Sequence, residues 1–437
     1  MRIKSILLFT LAVLPFTLFS QIPVTKYHPN AEGKIRERYS VSQNDSSIIV
    51  GDYLAFDIEG NLAVKGYYSS GQKDGEFINY YPNGVVQRST FYKNNLREGI
   101  IKVFDQKENI IQEGTFRNDT LTGMLKTYFP GGYIKNTTEF SNGLPNGLVK
   151  EYYENGKLKE EISYRNGKQH GLNKTYYETG VLKSELNYTN AVLDGLIKSY
   201  YANGQLDNEA FQKNGSKEGY FKKYYENGQL ETSGSYSKGT LSGNVISYYA
   251  TGVVKKNLNI VQGYKTGMNK VFFENGVVQF ITDYSNSEKD KNIQEFDSEG
   301  NLMSESIYEN GSKSGTWKYY FQKGKLKIEE NYVFGKLQGK RLTYDEKGKV
   351  IKEETFLKGK KHGTETTFHS NGAASETLIY SFDKLHGVYQ KLSKAGKVEI
   401  EGEYSRNVKH GEWKYFNKKG EVERIEKYKM GKLLNNS

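Results

Sequence analysis

The sequence predicts an all-β protein, an elongated single-layer antiparallel sheet of about sixteen tandem β-hairpins of 24 residues each. Three observations support this prediction. Glycines recur every 24 residues in three frames, aromatic residues recur at the same spacing, and the stretches between them are short and rich in Tyr, Phe, Val, Ile and Thr. A fixed period of this length is typical of repeat proteins in which each unit is one supersecondary element.

The glycine frames set the register of the repeat. In the frame 60–420, fifteen of sixteen positions are Gly and the exception is Glu108. In the frame 51–411, fifteen of sixteen are Gly and the exception is Lys291. The frame 71–431 has ten Gly, with Asn or Asp at four further positions. Because sixteen periods pass without an insertion or deletion, we interpret residues 51–431 as one repeat array.

The segments between the glycines have the length of strands. Runs of five to eight residues are too short for helices between turns. Asn-Gly pairs recur in the turn frames, and this pair readily adopts the positive φ angles of a tight hairpin turn. One unit is therefore predicted as a strand at 76–81, a turn at 82–84, a strand at 85–92 and a loop through Gly99.

Two aromatic frames accompany the strands. The frame 56–416 is aromatic at fifteen of sixteen positions and the frame 68–428 at fourteen. Cross-strand aromatic pairs stabilise a sheet by about 0.2–1 kcal/mol each. We expect the two frames to lie on a common face, where they exclude water from the backbone ladder.

The first segment reads as a targeting signal. Residues 1–20 combine a basic start with an apolar run at 6–19, which is too short for a comfortable membrane span. We predict a cleaved signal peptide at 1–20, a capping segment at 21–50, the repeat array at 51–431 and a C-terminal tail at 432–437. The expected location is the periplasm, the cell envelope or the outside of the cell.

Composition excludes several kinds of chemistry. The chain has 437 residues, a net charge of +11 and no Cys, so it forms no disulfide, thiol nucleophile or Cys-ligated metal site. Four of the six His share one frame, but equivalent side chains in neighbouring units lie about 10 Å apart, too far for a shared zinc ion. We expect no metal, no cofactor and no small-molecule substrate.

Adjacent carboxylates do not suggest acid–base catalysis either. The pairs Glu160–Glu161, Glu329–Glu330 and Glu353–Glu354 stand at neighbouring strand positions, which point to opposite faces. The two carboxylates of a pair therefore cannot act on the same substrate, and we expect these side chains to be solvated. The protein is therefore predicted not to be an enzyme.

The repeat resembles a known family. The unit at residues 147–171, GLVKEYYENGKLKEEISYRNGKQHG, is similar to the MORN repeat, in the variant form of bacterial proteins often labelled as antitoxins. The resemblance covers about residues 51–431. It implies a twisted sheet of tandem hairpins and a role in scaffolding, protein binding or, for some members, acidic-lipid binding. Region 283–297 departs from the pattern at Ser287 and Lys291, where we expect a bulge.

Two rows of side chains are candidate contact surfaces. One is a lysine row that recurs every 24 residues and is placed to meet anionic groups: Lys102, Lys126, Lys150, Lys174, Lys198 and Lys222. The other is an aromatic row: Phe129, Tyr153, Tyr177, Tyr201, Tyr225, Tyr249 and Phe273. Each row also has a purely structural interpretation, since lysines keep an open sheet soluble and aromatic rings cover it.

The function we predict is that of an exported, non-enzymatic scaffold that binds another protein or an envelope component along its sheet. Two alternatives remain open. One is attachment to an anionic membrane or cell-envelope polymer through the lysine and tyrosine face, and the other is antitoxin-like neutralisation of a partner toxin. Nucleic acid is disfavoured as a partner because of the expected export.

Overall fold

The computed structural model describes residues 21–436, so the signal peptide predicted at 1–20 lies outside the described residues. The chain divides into two compact units, Met1–Gly204 and Gln205–Ser437. Each unit is an antiparallel sheet in which every strand pairs with its neighbour in sequence. The predicted all-β class with tandem hairpins is confirmed in both units.

Over residues 21–204, which the structure describes, the first unit contains eighteen strands. Their bounds are β1 Gln21–Tyr27, β2 Ile35–Ser42, β3 Ile49–Phe56, β4 Leu62–Ser69, β5 Gln72–Lys73, β6 Gly75–Tyr80, β7 Val86–Lys93, β8 Leu96–Phe104, β9 Ile110–Arg117, β10 Thr120–Tyr128, β11 Ile134–Ser141, β12 Leu144–Tyr152, β13 Leu158–Arg165, β14 Lys168–Gln169, β15 Gly171–Tyr176, β16 Leu182–Thr189, β17 Val192–Leu193 and β18 Gly195–Tyr200. The capping segment expected at 21–50 forms β1, β2 and the first residues of β3.

The second unit contains the remaining strands and a short 3-10 turn at Gln322–Gly324. The strands are β19 Leu206–Lys213, β20 Ser216–Tyr224, β21 Leu230–Ser237, β22 Thr240–Leu241, β23 Gly243–Tyr248, β24 Val254–Val261, β25 Tyr264–Lys265, β26 Gly267–Phe272, β27 Val278–Tyr284, β28 Lys291–Phe296, β29 Leu302–Glu309, β30 Ser312–Tyr320, β31 Leu326–Val333, β32 Lys336–Tyr344, β33 Val350–Leu357, β34 Lys360–Phe368, β35 Ala374–Ser381, β36 Lys384–Leu385, β37 Gly387–Leu392, β38 Val398–Ser405, β39 Val408–Phe416, β40 Val422–Lys429 and β41 Lys432–Asn436. Residues 432–436 of the expected tail thus form a strand, which pairs with β40.

Two turn types alternate along the chain. The first is a three-residue loop in which the N–H of Tyr81 donates to the carbonyl of Val85 at 2.8 Å and Gly84 has φ of 82°. The second is a two-residue turn in which both residues have positive φ, 50° at Asn166 and 77° at Gly167. Asn and Asp are tolerated in the second type because their side chains suit the left-handed region.

The loop predicted through Gly99 is wrong. The two residues after Lys93 form a turn, and β8 then runs from Leu96 to Phe104 without a break. Gly99 stands in that strand with φ of 89°, where the pairing register shifts. The glycine frame 51–411 therefore marks a β-bulge, which lies inside one strand at Gly99 and at the break between two strands at positions such as Gly75.

The bulge expected in region 283–297 is also wrong. Tyr284 pairs with Lys291, and the register stays regular from there to the pair of Phe280 with Glu295. The extra residues lie instead in a wider turn, closed by a bond from the N–H of Ser285 to the carbonyl of Asp290 at 3.1 Å. Without a glycine at position 291 the strand has no residue suited to the bulge conformation.

The two faces of the sheet differ strongly in burial. One face, the buried face, holds side chains such as Phe77 at 4% exposure, Trp317 at 7% and Trp413 at 2%. On this face Tyr53, Tyr68, Phe77 and Tyr92 form a chain of edge-to-face ring contacts. The opposite face, the exposed face, holds the lysine row and is described below.

Large and small side chains alternate on the buried face. A β-carbon added at Gly66 would lie 2.4 Å from the ring of Phe77, and one at Gly402 would lie 2.3 Å from the ring of Trp413. These two glycines belong to none of the three turn and bulge frames. They are present because the facing ring occupies the space that a side chain would need.

The two aromatic frames do not share a face, contrary to expectation. Tyr68 and its cross-strand partner Lys73 lie on the buried face. Phe77 lies on the same face, and Tyr80 follows it by three residues within β6, so strand alternation places Tyr80 on the exposed face. The frame 68–428 thus lies on the buried face. Hydroxyls of the frame 56–416 bind carboxylates on the exposed face, for example Tyr128 to Glu113 at 2.7 Å.

Candidate binding surfaces

The predicted lysine row lies on the exposed face, where glutamates on the neighbouring strands face it. Four of its members form ion pairs, and the N–O distances are 3.0 Å for Lys126–Glu113, 3.4 Å for Lys150–Glu161, 3.7 Å for Lys174–Glu185 and 3.3 Å for Lys222–Glu209. Lys102 stands opposite Glu113 and Lys198 opposite Glu185. The row is therefore interleaved with carboxylates and does not form an uninterrupted strip of positive charge.

Tyrosines complete this pattern on the exposed face. Glu113 accepts hydrogen bonds from the hydroxyl of Tyr128 at 2.7 Å and from the ammonium of Lys126 at 3.0 Å. These bonds outweigh partial burial and hold the pKa of the Glu113 carboxyl below its ordinary value. Burial and the bond to Glu113 raise the pKa of Tyr128 to about 12. Near neutral pH the Glu113 carboxylate is therefore charged and the Tyr128 hydroxyl is neutral.

The predicted aromatic row lies at the edge of the sheet, since each member begins a three-residue turn. Its members are half-buried: Phe129, Tyr153, Tyr177, Tyr201, Tyr225, Tyr249 and Phe273. Four of their hydroxyls donate to a carbonyl in the next repeat at 2.8 Å: Tyr153 to Tyr176, Tyr177 to Tyr200, Tyr225 to Tyr248 and Tyr249 to Phe272. These four tyrosines therefore connect consecutive repeats.

An apolar stripe on the exposed face of the first unit was missed in the sequence. It consists of Ile100, Met124, Leu148 and Leu172, which are 51%, 43%, 38% and 38% exposed. Their cross-strand partners are Thr115, Glu139, Ser163 and Asn187. The sequence does contain a signal for this stripe, because the position two residues before each lysine of the row is apolar in consecutive repeats.

Two carboxylates of the second unit are buried, contrary to expectation. Glu330 and Glu354, expected to be solvated, are each 6% exposed. Glu354 pairs with Lys361 at 2.7 Å and with Lys352 at 3.4 Å, and Glu330 pairs with Arg341 at 3.5 Å. These residues form a buried ionic cluster: Glu330, Arg341, Lys352, Glu354, Lys361 and Glu365.

The members of adjacent carboxylate pairs do point to opposite faces. Glu353 lies on the exposed face and pairs with Lys340 at 2.7 Å, whereas Glu354 belongs to the buried ionic cluster. Burial alone would raise the pKa of the Glu354 carboxyl. The bond from Lys361 and the nearby positive charges of Lys352 and Arg341 outweigh burial and lower that pKa.

Metal-binding side chains are not clustered in the described part of the chain. Over residues 21–436, no group of three or more His, Asp or Glu side chains is arranged to hold a metal ion. His170, His362, His386 and His410 each precede a bulge glycine in a different repeat. Among the described residues, no helix has the length and apolar character needed to cross a membrane.

The fold and these surfaces define a tandem β-hairpin repeat protein with one buried and one exposed face. Seven of its segments match the family described as MORN repeat variant, at residues 73–94, 145–166, 169–190, 193–214, 217–238, 313–333 and 337–358. The chain therefore carries MORN repeats of the variant type, and the predicted resemblance is confirmed.

Other comparisons add little. No curated protein sequence matches the chain. Among solved structures, TcdB2-TccC3 is 12% identical, with 92% of this chain and 27% of that chain covered and a TM-score of 0.15. The Photorhabdus luminescens Tc holotoxin pore is 11% identical, with 92% and 26% covered and a TM-score of 0.15. The chain spans about a quarter of the length of these proteins, and the low TM-scores carry no functional argument.

Proposed function

We propose that this protein is an exported, non-enzymatic repeat scaffold that binds another protein along the exposed face of its first unit. The observation that carries the proposal is the apolar stripe. Four consecutive repeats each present one exposed apolar side chain, spaced two strands or about 10 Å apart. Polar side chains of the intervening strands separate the stripe members, and a row of exposed apolar side chains on a soluble protein supports an interaction site because its contact with water is unfavourable.

The surroundings of the stripe suit a protein partner better than an anionic surface. The lysine row beside it is matched by glutamates, so that it attracts an anionic polymer or membrane only weakly. Alternating charges at the rim of an apolar patch instead favour specificity and orientation of a protein partner. Attachment through the lysine and tyrosine face is therefore the less favoured function.

The non-enzymatic part of the proposal rests on the pairing of titratable groups. Glu113 and Glu354 both bind cations within the sheet. General acid–base catalysis needs a group that is within reach of substrate and whose pKa lies near the working pH. The lowered pKa values of these carboxyls do not meet that need.

Charged substitutions in the stripe test the binding site. Met124→Asp and Leu148→Asp are expected to weaken partner binding roughly tenfold or more, because each places a carboxylate in the apolar contact. Since both side chains are exposed, the Tm should change little. Proteins cross-linked to the wild-type chain in the cells that make it are compared with those of each variant. The matched control is Thr316→Asp, at the equivalent exposed position of a repeat without the stripe.

The result that would contradict the proposal is a partner that binds Met124→Asp, Leu148→Asp and the wild type equally well. Loss of binding in Thr316→Asp as well would point to a general charge effect and would also contradict the assigned site. If no protein is cross-linked to the wild-type chain in these cells, protein binding is rejected as its function.

Export is tested separately by the N-terminus of the mature chain. Cleavage of the signal peptide after residue 20 or within a few residues of it is expected, and mass spectrometry of the protein purified from its native cells reports the first residue. An intact N-terminus in the cytoplasmic fraction would contradict export without affecting the binding proposal.

A further inference from the structure

Four two-residue turns consist of an Asn-Gly pair, and we call them the open turns. They are Asn142-Gly143, Asn166-Gly167, Asn214-Gly215 and Asn310-Gly311. In each of them both residues have positive φ and both are exposed. Over residues 21–436, the side-chain amides of these four Asn form no hydrogen bond. These amide groups are therefore free to rotate about their side-chain bonds.

Asn-Gly pairs also occur in the three-residue loops, but there the Asn amide is held at both ends. Oδ1 of Asn155 accepts the N–H of Lys157 at 2.9 Å, and its Nδ2 donates to the carbonyl of Glu178 in the next repeat at 3.1 Å. Three further loops make the same two bonds, at Asn227, Asn275 and Asn371. A reaction of these amides must first break both bonds.

We propose that the four open turns are sites of spontaneous deamidation. The backbone nitrogen of the Gly loses its proton and attacks Cγ of the preceding Asn. The bond from Cγ to Nδ2 breaks, and ammonia leaves with that proton as a cyclic imide closes. Water then opens the imide at one of its two carbonyls and gives aspartate or isoaspartate. Gly favours the attack because it has no β-carbon to crowd the nitrogen.

The attacking nitrogen is itself hydrogen-bonded in both types of turn. The N–H of Gly167 donates to the carbonyl of Pro145 at 2.8 Å, and the N–H of Gly156 donates to that of Tyr153 at 2.9 Å. Exposed turns open locally more readily than the strands they join, which frees this nitrogen in either case. The three-residue loop must lose its two side-chain bonds as well. We therefore expect it to react at least about tenfold more slowly than an open turn.

The reaction affects the fold through the contact between repeats. Isoaspartate carries the main chain through Cγ of the former Asn side chain and lengthens the turn by one methylene group. The N–H of Gly167 then no longer lies opposite the carbonyl of Pro145 in the preceding repeat. Aspartate leaves the backbone unchanged and adds a negative charge. This inference does not depend on the protein-binding stripe or on export.

The chain contains the controls that the test needs. Asn190-Ala191 is a two-residue turn with the same positive φ angles, 50° and 67°, but its second residue has a β-carbon. Asn155-Gly156 has the Gly but holds its amide. The purified full-length chain is incubated in mildly alkaline buffer, and peptide mass spectrometry follows aspartate and isoaspartate at each site. Asn166 should react at least about tenfold faster than Asn155, and also faster than Asn190.

Urea separates the effect of structure from that of local sequence. Asn155 and Asn166 are both followed by Gly and Lys, so in the unfolded chain they should react at similar rates. Gly167→Ala gives Asn166 the same following residue as Asn190 and should slow deamidation at Asn166 while leaving Asn142 unchanged.

Three results would overturn the proposal. The first is the absence of aspartate and isoaspartate at Asn142 and Asn166 in the folded chain. The second is an equal rate at Asn155 and Asn166 in the folded chain, because the hydrogen bonds of the amide would then have no effect. The third is an unchanged rate at Asn166 in Gly167→Ala, since attack by the following nitrogen requires that this substitution matter.

Discussion

Glu354→Gln is expected to lower the free energy of unfolding of the second unit by about 3 kcal/mol, whereas Glu353→Gln should change it by less than about 1 kcal/mol. The two residues are neighbours in the chain but lie on opposite faces. Glu354 is 6% exposed, and its loss leaves the buried charges of Lys361 and Lys352 with Glu365 as their remaining shared carboxylate. Glu353 pairs with Lys340, whose side chain is 66% exposed.

Urea unfolding followed by tryptophan fluorescence measures this difference. Trp317 is the cross-strand neighbour of Glu330 in the buried ionic cluster, so its emission reports the affected repeats. Glu353→Gln is the matched control, because it removes the same charge one residue away. Equal destabilisation by both substitutions would contradict the assignment of the two faces.

The same residue predicts a pH dependence. In the folded chain the pKa of the Glu354 carboxyl lies below its ordinary value of 4.5, because Lys361, Lys352 and Arg341 outweigh burial. The stabilisation is thus fully present above the ordinary pKa and is lost as the pH falls below it. Between about pH 5 and pH 3 the wild type should lose more stability than Glu354→Gln. Parallel pH curves for the two proteins would argue against this linkage.

Gly402→Ala should also destabilise the second unit, by about 1–3 kcal/mol. The new β-carbon would lie 2.3 Å from Cδ2 of Trp413. That ring has little freedom to move, since it stacks on Tyr389 with centroids 5.2 Å apart and its Nε1–H donates to the carbonyl of Glu403 at 3.2 Å. The substitution therefore forces a shift of packed rings and backbone.

Gly114→Ala is the control for this prediction. A β-carbon there would lie 2.9 Å from Cδ1 of Leu125, the far end of a flexible side chain that can rotate away. Neither glycine has positive φ, so a difference between the two variants reports packing and not backbone strain. Thermal unfolding of both variants provides the measurement, and a loss at Gly114→Ala as large as that at Gly402→Ala would contradict the explanation.

Periodicity was sufficient to predict the tandem hairpins and their tight turns, but not the strand that contains Gly99. The positions of Gly84 and Gly167 in turns follow from the 24-residue frames, because few other residues accept positive φ. The same frames did not distinguish a loop from a bulge at Gly99, since both require that conformation. Nor did the spacing of Tyr68 and Tyr80 reveal that they face opposite sides, because face assignment depends on the pairing across the intervening turn.

The candidate surfaces were only partly predictable. The lysine row has the predicted spacing, but the glutamates facing it come from a different frame and are brought beside it by strand pairing. Burial of Glu330 and Glu354 was missed because adjacent carboxylates usually lie on the surface. Charged residues of opposite sign in two cross-strand frames, such as Arg341 and Glu354, were the available signal.

The hydrogen bonds between repeats constrain the length of the insertions that the repeat array can accept. Tyr153 reaches a carbonyl 23 residues ahead, and the N–H of Gly167 donates to a carbonyl 22 residues behind. Duplication of 24 codons copies all of these bonds, whereas an insertion between the partners whose length is not a multiple of 24 residues separates them. The wide turn at 285–290 fits the same constraint, because it holds the residues that a bulge holds in other repeats and the count of 24 is the same.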